Sequence, residues 1–390
     1  MMNLSLLPST PLHQNPFSIK SISTYIFKAP VQKPVVSTLT TVSTRVALLV
    51  KVGDGEGFFG WGEIYATLPS FAADHKRNIV HQILFPLLKQ QVFETPQACW
   101  SYLEQKTQAM QIQTGEFGPF SSAIAGIDCA IWDLLARKNQ LPLAEFLGGK
   151  RRPLPVYASG LNPADGPAVV EQSRGLGFTA FKQKIGFGES IDKNNLSKIS
   201  SNLQNHEQLF VDVNQGWTID QVRQVAPMLN SFPLHWVEEP ILANARKDDW
   251  MECASLLNAP LAGGENLRGD DFEAQSDWLK VIQPDVGKWG GITGNLIVAK
   301  TAINRQLRYC PHWLGSGLGL MTSAHVLSAL GGDGLLEMDV NENPLRELLA
   351  EPFPTLHNGQ LNLSDQIGIG IEPNLEQTKP WLTHYQESIS

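Results

Sequence analysis

The stretch that begins with AFKQKI (180–185) and continues through LFVDVN (209–214), HWVEEP (235–240) and LAGGEN (261–266) repeats one pattern. Each segment is a short apolar strand that ends in ionisable or amide residues. The same pattern occurs in VYASG (156–160), VIQPDV (281–286), RYCPH (308–312) and LLEMD (335–339). The eight segments start about 20 to 29 residues apart, which leaves room for one helix and two loops per unit. Eight such units in succession predict an α/β fold with a TIM-like (β/α)8 barrel, with or without one irregular unit.

An open doubly wound sheet is the alternative architecture. Such a sheet is expected to carry a glycine-rich phosphate turn after its first strand, and VYASGLNPADGP (156–167) is a poor candidate for one. The barrel is therefore assigned to residues 151–350.

An α+β capping domain is predicted before the barrel, over residues 17–150. Its strands are expected at 18–27, 38–52 and 58–64, and GDGEG (53–57) is typical of a hairpin turn. Residues 72–150 then change to helical spacing. The C-terminal segment, 351–390, contains the β-like stretch GIGIEPN (368–374) and is expected to return to the capping domain.

Composition excludes several classes of protein. The 390 residues are 42% hydrophobic and 17% charged, which is typical of a globular chain rather than a disordered one. Acidic residues outnumber basic ones by 38 to 30, so nucleic acid is not an expected partner. The chain has no run of 18 apolar residues, and its start lacks the pattern of a secretion signal. Four cysteines without a CxxC motif indicate reduced thiols, so we expect a cytoplasmic protein.

Polar residues are concentrated at the C-terminal ends of the predicted strands. Because those ends surround one mouth of a barrel, we expect the side chains to converge there. The residues are Lys182, Lys184, Asp212, Asn214, Glu238, Glu239, Glu265, Asn266, Asp285, Lys288, His312 and Glu337. Any one of them alone is typical of a solvated loop, but the set as a whole indicates a site.

Three carboxylates, those of Asp212, Glu238 and Glu265, end three consecutive strands. Carboxylates that converge repel one another unless a cation lies between them. Hard oxygen ligands favour Mg²⁺, or Mn²⁺, over zinc. The sequence therefore predicts a metal centre with open positions for a chelating substrate.

These motifs, taken in chain order, resemble the enolase superfamily, and specifically its mandelate racemase branch. The resemblance covers most of the chain. It rests on the K-x-K at 182–184, VDVNQG (211–216), VEEP (237–240), GGEN (263–266), PDVGKWGG (284–291), His312 and Glu337.

The resemblance implies a role for each site residue. Asp212, Glu238 and Glu265 correspond to the metal ligands. Lys184 corresponds to a base on one face of the substrate, and His312, paired with Asp285, to an acid or base on the other. Lys182 and Asn214 correspond to substrate contacts, and Glu337 to a neutral acid that donates a hydrogen bond to the substrate carboxylate. Muconate-lactonizing relatives have a lysine in place of Asp285, which argues against a cycloisomerase.

The implied chemistry is Mg²⁺-dependent removal of the proton alpha to a carboxylate, with an enediolate intermediate. We expect a lyase that dehydrates an acid sugar (an aldonate or aldarate) to a 2-keto-3-deoxy acid. The alternative is a racemase or epimerase of a 2-hydroxy acid, and a further alternative is a barrel that binds an anion without turnover. Residues 63–76 are the candidate lid, from which Tyr65 would contact the substrate, and by analogy with relatives the protein is expected to form a homo-oligomer.

Overall fold

The computed structural model describes residues 16–69 and 71–390. The expectation about a secretion signal at the N-terminus, and residue Ser70 of the candidate lid, lie outside the described residues.

The first layer is a four-stranded antiparallel sheet that includes both ends of the chain. Its strands are Ser21–Val36 (β1), Thr41–Gly53 (β2), Phe59–Ile64 (β3) and Leu382–Ile389 (β14), in the order β14-β1-β2-β3. The predicted hairpin turn is present, and Asp54 closes it by accepting hydrogen bonds from the backbone of Glu56 and Phe58. The stretch GIGIEPN forms isolated bridges rather than a strand, so the predicted β-structure of the tail lies instead in β14.

Helices cover one face of this sheet. They are Ala72–Ile79 (α1), Phe85–Leu88 (α2), Pro96–Thr114 (α3), Phe117–Lys138 (α4) and Leu143–Phe146 (α5), with a π-helical turn at Val80–Leu84. The alternating glycines of FGWG in β3 allow the backbone of α4 to lie close against this strand. A side chain at Gly60 or Gly62 would collide with the backbone of α4.

Helix α4 is the one described helix that is long and apolar enough, by length and composition, to cross a membrane. However, 94% of its apolar stretch is buried inside the fold. A helix that is apolar on all sides is expected at such a position, because it packs against the sheet on one side and against the barrel on the other. The four cysteines are free and buried, as predicted.

Eight parallel strands alternate with eight helices after residue 150. The strands are Leu154–Leu161 (β4), Ala180–Lys184 (β5), Gln208–Asp212 (β6), Leu234–Glu238 (β7), Leu261–Gly263 (β8), Leu279–Ile282 (β9), Arg308–Tyr309 (β10) and Leu336–Asp339 (β11). The helices are Gly166–Gly175 (α6), Glu189–Ser201 (α7), Ile219–Leu229 (α8), Lys247–Leu256 (α9), Asp271–Gln275 (α10), Gly291–Asn304 (α11), Gly317–Leu330 (α12) and Pro344–Leu348 (α13). Two short strands, Leu356–His357 (β12) and Gln360–Leu361 (β13), form a hairpin that pairs with the start of β4.

The order of the parallel strands is that of a barrel with one seam. Each strand pairs with the next from β4 to β10, and β11 returns to pair with β4. Within the described part of the chain, β10 and β11 share no ladder, because β10 is only two residues long. The seam is bridged where the Leu335 backbone N–H donates to Cys310 Sγ at 3.3 Å. The predicted (β/α)8 class is confirmed, and its irregularity lies at this seam.

An apolar plug fills the barrel below the mouth. One residue near each strand contributes to it, and Phe210 and Trp236 stack at its centre with ring centroids 3.5 Å apart. Its members are Tyr157, Ala180, Phe210, Trp236, Ala262, Val281, Cys310 and Leu335. Side chains two positions further along a strand point to the same face, one layer higher. That layer contains Lys182, Asp212, Glu238 and Glu337, so the plug forms the floor of the site.

A buried ion pair joins the cap to the barrel. Arg45 Nη2 of β2 lies 2.7 Å from Asp339 Oδ2 at the end of β11, and both side chains are 4% exposed. We expect Arg45→Met to lower the free energy of unfolding by about 3–5 kcal/mol, because Asp339 would remain buried without a counter-charge. Urea denaturation measures this change.

The matched control is Arg223→Met. Arg223 pairs with Glu252 at 2.6 Å, but its side chain is 48% exposed. Because exposed ion pairs are screened by water, its loss should change the free energy of unfolding far less than the loss of Arg45. Equal destabilisation by both variants would contradict the importance of the buried pair.

Candidate active site at the barrel mouth

The two lysines of β5 anchor one side of the mouth. Lys184 Nζ lies 2.6 Å from Asp212 Oδ2 and 2.5 Å from Asn214 Oδ1. Lys182 Nζ lies one layer deeper, 2.6 Å from Glu238 Oε1 and 2.7 Å from Glu337 Oε1. Burial alone would lower the pKa of Lys182, but Glu238 and Glu337 hold it well above its usual range. Lys182 is therefore a fixed positive charge under the site.

His312 occupies the other side of the mouth. Its Nδ1 lies 2.7 Å from Asp285 Oδ2, and its Nε2 lies 3.0 Å from Glu265 Oε2. The other oxygen of Asp285 accepts hydrogen bonds from the backbone of Gly287 and Lys288, which fixes the carboxylate. Burial alone would lower the pKa of His312, but Glu265, Glu337 and Asp285 raise it to about 9. In this arrangement the imidazole is protonated at neutral pH.

Glu337 lies at the base of the cavity. It accepts hydrogen bonds from Ser159 Oγ at 2.5 Å and from the Trp313 backbone N–H at 3.0 Å. Burial would raise the pKa of Glu337, but Lys182 and His312 lower it to about 2. The nearby Lys182 therefore favours the ionised carboxylate in this arrangement, and the role of Glu337 as a neutral hydrogen-bond donor to the substrate stays a prediction.

Each of the three candidate metal ligands faces a cationic side chain. Asp212 pairs with Lys184, Glu238 with Lys182, and Glu265 with both Lys288 and His312. Over residues 16–69 and 71–390, no three His, Cys, Asp or Glu side chains are already gathered as a metal site, because Asp212, Glu238 and Glu265 are turned toward these basic groups instead. Burial raises the pKa of Glu238 to about 7, whereas His312 and Lys288 outweigh burial and lower that of Glu265.

Two residues that contact the site are given no role by the sequence argument. Ser159 lies two residues after Tyr157 of the plug, so strand alternation applied to β4 would have found it. Lys288, noted only as a strand-end residue, lies in the loop after β9, and its Nζ is 2.5 Å from Glu265 Oε2. No sequence pattern predicts that contact, because it depends on how the loop turns.

A cavity of about 720 Å³ opens over these residues, between the cap and the barrel. Lys184, His312, Glu337 and Asn214 line its floor. The candidate lid contributes to its wall through Tyr65, Thr67, Leu68, Pro69, Phe71, Ala72, His75 and Lys76. Its outer rim has an apolar part, in which Leu39 and Phe71 are 58% and 65% exposed, beside the exposed polar residues Asn266 and Arg268.

Two family models match the chain. Residues 21–148 match the N-terminal domain of the mandelate racemase/muconate lactonizing enzyme family. Residues 168–378 match the enolase C-terminal domain-like family.

Individual relatives match most of the chain. A D-galactarolactone cycloisomerase from Agrobacterium fabrum is 26% identical, over 91% of this chain and 96% of its own. An arabinonate dehydratase from Saccharolobus solfataricus is 26% identical, over 82% of this chain and 86% of its own. A crystal structure of a mandelate racemase/muconate lactonizing enzyme from Bordetella bronchiseptica RB50 is 40% identical, with a TM-score of 0.89 over 94% of this chain and 99% of that one.

The named activities of the relatives differ. They include dehydratases and racemases, and also the cycloisomerase reaction that the sequence argument disfavoured. Several neighbouring structures were solved with bound magnesium.

Proposed function

Because this chain belongs to the mandelate racemase/muconate lactonizing enzyme family of the enolase superfamily, we propose that it removes the proton alpha to a substrate carboxylate and dehydrates an acid sugar. The product would be a 2-keto-3-deoxy acid. The observation that carries the proposal is the position of Lys184 and His312 on two sides of one cavity. Lys184 ends β5 and His312 follows β10. In the ring of strands, β4 and β11 separate these two strands in one direction, and β6 to β9 separate them in the other.

The chemistry of the donors fits Mg²⁺, with Mn²⁺ as an alternative. Asp212, Glu238 and Glu265 offer only carboxylate oxygens, and each already lies within 3.0 Å of a nitrogen of a basic side chain. Hard oxygen donors of this kind suit Mg²⁺ better than a softer metal. When bound, the ion would neutralise the negative charge that develops on the substrate as its α-proton leaves.

The side chains of this protein account for the proton transfers. Lys184 Nζ would accept the α-proton, which leaves an enediolate. His312 Nε2 would then donate its proton to the β-hydroxyl, so that water leaves and an enol forms. The enol becomes a 2-keto acid by taking a proton at C3 and releasing the proton of its C2 hydroxyl. Asp285 holds the ring of His312, and Lys182 adds a positive charge near the substrate carboxylate.

Racemisation or epimerisation of a 2-hydroxy acid is the second candidate. In that reaction His312 would return a proton to the α-carbon on the face opposite Lys184. The apolar part of the rim, formed by Leu39, Leu68, Phe71 and Phe117, favours this candidate, because it suits a substrate with an apolar substituent.

Incubation in D₂O with a panel of acid sugars and aryl 2-hydroxy acids separates the two reactions. For dehydration we expect a 2-keto-3-deoxy acid, detected as a semicarbazone and by NMR. Racemisation would instead place deuterium at C2 and leave every hydroxyl in position. The proposal fails if no member of either class reacts or exchanges with the Mg²⁺-loaded protein.

A further inference from the structure

We propose that Lys76 binds a second anionic group of the substrate, so that the site is built for dicarboxylic acid sugars (aldarates) rather than aldonates. This inference rests on the proposed function and makes its substrate class more specific. Lys76 belongs to α1 of the cap, and it lines the same cavity as Lys184 and His312.

Lys76 differs from the other cations of the cavity because it is buried and has no carboxylate partner in the described part of the chain. Its side chain is only 5% exposed. The catalytic candidates and their neighbours are all paired: Lys184 with Asp212, Lys288 with Glu265, His75 with Glu116, and His312 with Asp285. Buried charges in proteins are usually paired, so a buried ammonium beside a cavity indicates a ligand charge.

The ammonium also has an unused donor. Lys76 Nζ lies 2.5 Å from the Tyr65 carbonyl oxygen and 3.2 Å from Ser122 Oγ. An ammonium has three N–H groups, so one remains for a ligand in the cavity. Burial, followed by repulsion from Lys288, lowers the pKa of Lys76 to about 7; the Asp285 carboxylate opposes this without contacting Lys76, and an anion in direct contact would favour the protonated form further.

The position of Lys76 suits the far end of the substrate. The Tyr65 ring contacts two ammonium groups: Lys76 Nζ lies 5.0 Å and Lys288 Nζ lies 4.7 Å from its centroid. Lys288 in turn contacts Glu265, one of the candidate metal ligands. Lys76 comes from the cap side of the cavity, whereas Lys182 and Glu337, beside which the reacting carboxylate would bind, lie in barrel strands, so we expect the far end of the substrate near Lys76. A six-carbon diacid has a second carboxylate at that end of its chain, and the matching aldonate has a hydroxyl group there.

The experiment compares kcat/KM for galactarate with galactonate, and for glucarate with gluconate, in the Mg²⁺-loaded protein. We expect the parent to prefer the diacid of each pair. Lys76→Met should lower kcat/KM for the diacid by about 10- to 100-fold, because a charge-assisted hydrogen bond is lost. The same variant should change kcat/KM for the aldonate by less than about 3-fold, and Lys76→Arg should retain part of the preference.

Arg268→Met is a comparison variant. Because Arg268 lines the cavity and could itself reach a diacid, the matched control is Lys106→Met: Lys106 is an exposed cap lysine that lies over the Tyr102 ring, outside the cavity lining, so its loss should leave the preference unchanged, whereas any effect of Arg268→Met would report a contact with the diacid by Arg268. A circular-dichroism melting curve of each variant checks that it is folded, and titration calorimetry with galactarate measures binding directly.

The outcomes separate the inference from the proposed function. If the parent dehydrates aldonates as well as aldarates, or if Lys76→Met leaves the ratio unchanged, the inference is overturned and the proposed function stands. If neither class reacts, or if only aryl 2-hydroxy acids exchange deuterium, both are overturned together.

Discussion

Lys184→Ala and His312→Asn are each expected to lower kcat by about 10²- to 10⁴-fold, the usual contribution of one positioned acid or base. Lys184 has a carboxylate and an amide oxygen within 2.6 Å, so it is held at a fixed position over the mouth. His312 is held by Asp285 on one nitrogen, and its other nitrogen is directed into the site. Removing either group leaves one face of the substrate without a proton carrier.

Isotope exchange distinguishes the two variants. If the bases act on opposite faces, exchange at C2 should persist for one stereoisomer in one variant and for the other stereoisomer in the other. Lys280→Ala and His235→Asn are suitable controls, because both residues are exposed on barrel strands, β9 and β7, outside the cavity lining. Wild-type turnover in Lys184→Ala would refute its role as the base.

Removing divalent cations should abolish activity, and added Mg²⁺ should restore it. The reason is electrostatic: with the metal absent, the charge that develops on the substrate would face the carboxylates of Asp212, Glu238 and Glu265. We also expect Mg²⁺ to raise the melting temperature of the parent, because a ligand that binds only the folded state stabilises it. Activity that survives thorough chelation would refute the metal proposal.

Asp212→Asn tests the site without relying on turnover. This variant should show a smaller Mg²⁺-dependent rise in melting temperature, because a charged oxygen donor is replaced by a neutral one. Asp277→Asn is the control, since Asp277 is a 55%-exposed carboxylate paired with Lys247 at 3.1 Å. An equal response in both variants would indicate nonspecific binding of the cation.

The sequence predicts the fold and the main members of the site because both follow from alternation along strands. Lys182, Asp212, Glu238 and Glu337 lie within β5, β6, β7 and β11, so their direction is fixed once the plug residues point inward. Glu265, Asp285 and His312 lie two or three residues beyond their strands, and the sequence order alone still indicates the correct end of the barrel.

The sequence cannot predict contacts that depend on loop geometry or on packing between distant segments. The pairing of Lys288 with Glu265 depends on the turn after β9, and the position of Lys76 depends on how α1 packs over the barrel. The ionised state of Glu337 likewise follows from a 2.7 Å contact with Lys182 that no spacing reveals. The rim of the cavity is assembled from segments far apart in the chain, so its partly apolar character emerges only in three dimensions.

The seam between β10 and β11 has a consequence for how enzymes of this shape diversify. His312 follows the strand on one side of the seam, and Glu337 lies in the strand on the other. Within the described residues, these edges are linked near the site by a thiol contact, a backbone hydrogen bond to Glu337 and the 3.9 Å approach of His312 Nε2 to Glu337 Oε2, and by no strand ladder. Mutations can therefore move the proton donor relative to the carboxylate that faces it without disrupting a hydrogen-bonded ladder, and lineages can adapt to substrates of new length or configuration along this one line of the ring.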